Sequence, residues 1–141
     1  MVDALRFRDD TPPEEPAVTL DSFLDQSNAS AVRIEPGEDV RRLLPLLDRL
    51  RLVEIDFPAY RDGRGYSAAR ILREAGYTGE LRATGDVLVD QLRFMRRVGF
   101  DSFTPAHPLD GAAVERALGR YDTAYQPAAD DLTVVWKLRH G

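Results

Sequence analysis

Leu52-Val53-Glu54-Ile55-Asp56-Phe57 reads as a β-strand with two unlike faces. Side chains alternate along a strand, so Val53, Ile55 and Phe57 point one way and Glu54 and Asp56 the other. Leu81-Arg82-Ala83-Thr84 repeats the pattern, with Arg82 and Thr84 opposite Leu81 and Ala83. A parallel sheet covered on both faces is almost continuously apolar. Two strands with one apolar and one charged face point instead to a sheet with helices on one side and a polar concave surface on the other.

Working outward, strands and helices alternate. Strands are predicted at 31–34, 52–57, 80–84 and 100–104. The helix predicted at 38–50 carries Val40, Leu43, Leu44 and Leu47 on one face and is expected to kink at Pro45. Further helices are predicted at 67–75, stopped by Gly76, at 86–98 before Gly99, and at 110–118 before Gly119. Four consecutive βα units predict an α/β domain with a parallel sheet. Two architectures satisfy this: an open doubly wound sheet, or a curved sheet equivalent to half of a (β/α)₈ barrel. The face chemistry favours the half-barrel. Its open edges predict pairing either with another copy, giving a homo-oligomer, or with another protein.

One domain is expected over the 141 residues. Residues 1–17 read as peripheral: a short edge strand over 4–8, then a proline-broken acidic loop. Thr19 is the expected N-cap of a short helix ending at Gln26. A further strand is expected at 123–126. The tail, 127–141, holds the β segment Leu132 to Leu138. That segment suits either antiparallel closure of a sheet edge or an arm on a partner chain.

Cysteine is absent, which excludes disulfides, thiol nucleophiles and thiolate-held metal clusters. With two histidines far apart, His107 and His140, no dedicated metal site is expected. A net charge of -5 makes the chain a poor nonspecific nucleic-acid binder. All but one of its 19 basic residues are arginines, so a lysine-based mechanism has only Lys137, in the tail. No apolar run is long enough for a membrane span. No signal core opens the chain, so a cytoplasmic protein is expected.

Functional groups of βα folds gather at the carboxyl ends of strands. The longest loop expected there runs from Phe57 to Ser67 and contains Asp62-Gly63-Arg64-Gly65. Flexible backbone, an arginine and a helix beginning at Ser67 make a candidate anion site; a tight turn capped by Ser67 explains the same residues without a ligand. Asp86 is either a helix cap or, with Asp56, an acid/base carboxylate. Glu54, Asp56 and Arg82 are expected to form an ion network on the concave face. Gln91 shares a helix with Arg93, Phe94, Arg96 and Arg97, a run that reads as a solvated face or as a docking surface for an acidic partner. His107, in a loop, is the one histidine near the rim.

The stretch from Val53 to Phe103 resembles a bacterial domain-of-unknown-function family, number 934. The resemblance is carried by Asp56-Phe57-Pro58, Asp62-Gly63-Arg64-Gly65-Tyr66-Ser67, Leu72-Arg73, Gly76-Tyr77, Gly79-Glu80-Leu81-Arg82-Ala83, Gly85-Asp86-Val87-Leu88, Asp90-Gln91-Leu92 and Gly99-Phe100-Asp101. Members of that family carry an oxidoreductase label tied to sulfite reduction and accompany assimilatory sulfite reductase. The resemblance therefore implies a role in sulfur assimilation, with the reductase as the implied partner. It also implies a family core over 19–126. The residues show no dinucleotide fingerprint and no haem or flavin motif, and no cofactor is expected. Asp56 and Asp86 are the candidate catalytic residues. Asp62, Gly63, Arg64, Gly65, Ser67, Arg82 and Gln91 are the candidate ligand-binding residues.

Overall fold

The strand Leu52–Phe57 lies inside a seven-stranded sheet. The structure, a computed structural model, describes residues 1–25, 28–59, 63–119 and 135–138. Along the chain come Val2–Arg6 (β1), Val18–Thr19 (β2), Leu20–Asp25 (α1), Ala31–Ile34 (β3), a 3₁₀ helix over Val40–Arg49, and Leu52–Phe57 (β4). Then follow Gly63–Glu74 (α2), Glu80–Gly85 (β5), a 3₁₀ turn over Val89–Gln91 running into Leu92–Val98 (α3), Ser102–Pro105 (β6), Gly111–Gly119 (α4) and Val135–Leu138 (β7). The strand order is β2-β3-β4-β5-β6-β1-β7. The first five are parallel and in chain order, β1 is antiparallel to β6, and β7 is antiparallel to β1. This is the open, curved α/β sheet of successive βα units, not closed into a barrel.

One core lies on one side of it. Val32 and Ile34 of β3, Val53, Ile55 and Phe57 of β4, Leu81 and Ala83 of β5, and Phe103 of β6 form a single buried cluster with Phe23, Leu43, Ala69, Leu72, Met95 and Val114 from the helical segments. Burying a side chain of this size contributes roughly 1.5–3 kcal/mol. Ala31 and Leu52 are buried on the other side and stay outside that cluster. The opposite face is the polar one, and strand register aligns its residues in rows. Arg33 faces Glu54, Glu54 faces Arg82, Arg82 faces Ser102 and Ser102 faces Arg6.

Several local expectations are corrected. β1 is not an edge strand: it lies between β6 and β7. The tail pairs antiparallel with β1 through β7, the first of its two expected roles. The segment around Pro45 is a 3₁₀ helix rather than a kinked α-helix. Its fully buried residues, Val40 and Leu43, are three apart, the 3₁₀ repeat, and Asp39 Oδ1 caps it by accepting from Arg41 N at 3.0 Å. Thr19 caps α1 as expected, its Oγ1 accepting from Ser22 N at 3.2 Å. The strand predicted at 123–126 and His140 lie outside the described residues. No helix among the described residues is long and apolar enough to cross a membrane.

The largest correction concerns α2. It begins at Gly63, not Ser67, so Gly63-Arg64-Gly65-Tyr66 is its first turn rather than a loop, and Ser67 is no cap. Glycine is a poor helix former, and Gly65 is there for space. A Cβ on it would stand 2.4 Å from Phe57 Cε2. Only glycine lets the helix start sit against the last residue of β4.

Candidate functional site

The carboxyl ends of β3 and β4 and the start of α2 enclose a cavity of about 610 Å³. Strand β3 leads into Glu35-Pro36-Gly37-Glu38, β4 supplies Asp56, and α2 supplies Gly63, Arg64 and Ser67. Arg64 and Ser67 are exposed at the mouth. The Arg64 guanidinium lies over Gly37, with Nη1 3.5 Å from where a Cβ on that residue would stand. Gly37 is in the left-handed region, φ 89°, which lets the chain after β3 turn beneath the arginine.

Asp56 is held from two sides. Thr84 Oγ1 of the neighbouring strand donates to its Oδ1 at 3.2 Å. On the other side Glu35 is hydrogen-bonded to it. Partial burial, then the charge and hydrogen bond of Asp56, push the Glu35 carboxyl above the usual carboxylate range. Glu35 therefore keeps its proton to a higher pH than an isolated glutamate does. Gly85, at φ 89°, closes the arrangement: a Cβ there would come within 2.8 Å of Asp56 Oδ1 and 2.4 Å of the Phe57 carbonyl oxygen. That same carbonyl accepts from Asp86 N at 2.6 Å.

Of the sequence-predicted residues, Asp56, Gly63, Arg64, Gly65 and Ser67 line one cavity. Asp86 stands on the same rim but does not line it. Helix α3 starts only at Leu92, so Asp86 is not its cap. Gln91 accepts a hydrogen bond from Tyr66 Oη at 3.2 Å and fixes α3 to α2. Asp62 lies outside the described residues. Glu35 was missed as a site residue. Its signal was available: it follows β3 as Asp56 follows Ile55, and those strands pair Ile34 with Ile55.

Arg82 belongs elsewhere. On the polar sheet face its Nη1 pairs with Glu54 Oε2 at 3.1 Å and its Nη2 with Glu80 Oε2 at 3.3 Å. Arg33 joins Glu54 at 3.4 Å, and Arg6 Nη2 joins Glu80 Oε1 at 3.0 Å. The expected network of Glu54 and Arg82 exists, but Asp56 pairs with Thr84 and Glu35 instead. Glu80, with 1% of its side chain exposed, sits between two guanidinia. Burial pushes its carboxyl up, but hydrogen bonds from Ser102 and Arg6 and the charges of Arg6 and Arg82 outweigh this and leave it below the usual range.

A second arginine cluster holds the opposite, amino-terminal end of the sheet. Asp101 Oδ2 accepts from Arg73 Nη2 at 2.6 Å and from Arg8 Nη1 at 2.9 Å. Arg73 also donates to the carbonyls of Gly99 and Tyr77, both at 2.8 Å. Arg73, Gly99 and Asp101 therefore form a clasp at the end of the sheet away from the cavity.

The chain matches no curated protein and no solved structure. A family described as "Bacterial protein of unknown function (DUF934)" matches residues 31–136, from β3 into β7, and so takes in every described residue of the rim cavity. The chain belongs to this family.

Proposed function

We propose that this protein is a noncatalytic accessory protein of assimilatory sulfite reduction that holds a small oxyanion in the rim cavity. The place in sulfur metabolism comes from the resemblance described above. The observation that supports the ligand is the meeting of Arg64 and the amino-terminal turn of α2 in one cavity at the strand ends. A guanidinium has five donors, more than one partner takes up. A helix start adds backbone N–H groups that have no intrahelical partner, and a partial positive charge.

The cavity is also lined by Glu35, Glu38, Asp39 and Asp56. Those carboxylates repel a fully ionised, multiply charged anion. They suit an oxyanion that retains a proton, such as hydrogensulfite. Its charge faces Arg64 and its hydrogen is donated to the Asp56 side. The test is a thermal-shift panel of sulfite, sulfate, phosphate, nucleotides and NAD(P)H. Sulfite is expected to raise the melting temperature most, because a ligand at about 100 times its Kd adds roughly 2.7 kcal/mol. A strain lacking the protein is expected to grow poorly on sulfate; normal growth there rules the role out.

The Glu35–Asp56 pair favours a second reading: a small enzyme acting on an anionic, sulfur-containing or phosphorylated substrate. Glu35 and Asp56 would supply the acid/base pair. Turnover of a bound panel ligand, abolished by Asp56→Asn, would select it over the accessory role.

A further inference from the structure

Helices α3 and α4 leave between them a second groove, of about 450 Å³, on the outer surface. Its α3 wall is Arg93, Phe94 and Arg97, three and four residues apart on one helix face, with Asp90 beside them in the 3₁₀ turn that leads into α3. Arg116 stands on the α4 wall, and the small Ala113 and Ala117 keep the floor open. Among the described residues lining it, three guanidinia meet one carboxylate, on a chain whose net charge is -5. Arg97 and Arg116 are exposed.

Phe94 is the apolar element of the groove. It is 45% exposed, while Leu92 and Met95 on the same helix are fully buried. The ring is nonetheless fixed: it meets Tyr66 edge-on at 5.1 Å, and Tyr66 rests on Phe57 at 5.1 Å. An aromatic ring already held in place loses little freedom when a partner covers it. Arginine and aromatic residues are also the side chains most enriched at interface centres.

We propose that this groove docks an acidic segment of a partner protein, with carboxylates on Arg97 and Arg116 and one apolar side chain on Phe94. The inference rests on the groove alone and stands apart from the rim ligand. A protein segment fits better than a nucleic acid. The excess of positive over negative charge in the groove is local, and a long polyphosphate would run on along a chain whose net charge is -5.

The test is fluorescence anisotropy of the full chain with a short labelled peptide of aspartate and glutamate around one central leucine. A lysine peptide and an oligothymidylate serve as parallel probes. The acidic peptide is expected to bind, more weakly as salt rises. Arg97→Glu and Arg116→Glu, both at exposed positions, are each expected to weaken it at least about tenfold. Phe94→Leu is expected to retain more binding than Phe94→Ser. Sulfite affinity, measured on the same variants, should not move, so the two sites succeed or fail separately. Absent peptide binding, or binding unchanged in the double charge reversal, overturns the proposal. Tighter binding of the oligothymidylate through the same two arginines also overturns it.

Discussion

Glu35 and Asp56 are hydrogen-bonded carboxyl partners across the ends of two adjacent parallel strands. Neither position is unusual alone. Strand register places them at one height and on one face, and two carboxylates that close cannot both ionise without cost. Both carboxyls line the cavity that Arg64 also lines.

The Glu35 carboxyl is therefore expected to titrate above the usual range, and Asp56→Asn to lower its pKa by removing the neighbouring charge while leaving the burial contribution. Because the folded state holds this proton more tightly than the unfolded chain, the pair's contribution to stability falls as pH rises from the unfolded value through the folded one. Carbon-detected NMR titration of the Glu35 side chain in both proteins checks the direction. An unchanged pKa in Asp56→Asn would separate the two residues.

Gly65→Ala and Gly63→Ala should behave oppositely. At Gly65 the added methyl meets the Phe57 ring, and overpacking of this kind costs about 1–3 kcal/mol. At Gly63 nothing among the described residues stands within 4 Å, and alanine is the better helix former, so stability should be unchanged or rise by up to about 1 kcal/mol. Urea unfolding of the two variants measures both.

Arg6→Ala is expected to destabilise by about 3 kcal/mol, because it leaves the buried Glu80 carboxylate with one guanidinium instead of two. The pH dependence should change as well. In the native protein the lowered Glu80 pKa supplies stability above the unfolded value that is lost as pH falls through the folded one. Without Arg6 the burial contribution gains weight, the pKa rises, and this acid sensitivity shrinks. Denaturant melts across the carboxylate range, with Glu80→Gln as the reference, report it.

Much of this was legible in the residues. The alternation in β4 and β5 carries the layer arrangement, because a charged side chain every second position is tolerable only where one face escapes the helices. The rim cavity was legible for the same reason: parallel strands send their following residues to one end. Less legible were features set by contacts distant in sequence. Nothing local says that Gly65 belongs inside a helix, since the ring it avoids lies on β4. Arg82 looked like a rim residue, but its position in mid-strand, opposite Glu54, fixes it on the sheet face. The family-like string mixed two groups of residues, rim and clasp, and only the fold separates Asp56 and Arg64 from Arg73 and Asp101.

The most direct test of the account is isothermal titration of sulfite into the native protein and into Arg64→Gln, which removes the charge at an exposed position. Saturable binding to the native protein, weakened at least about tenfold by the substitution, is the predicted result, as befits loss of a charge-assisted contact. No measurable binding, or equal affinity in both proteins, would contradict it.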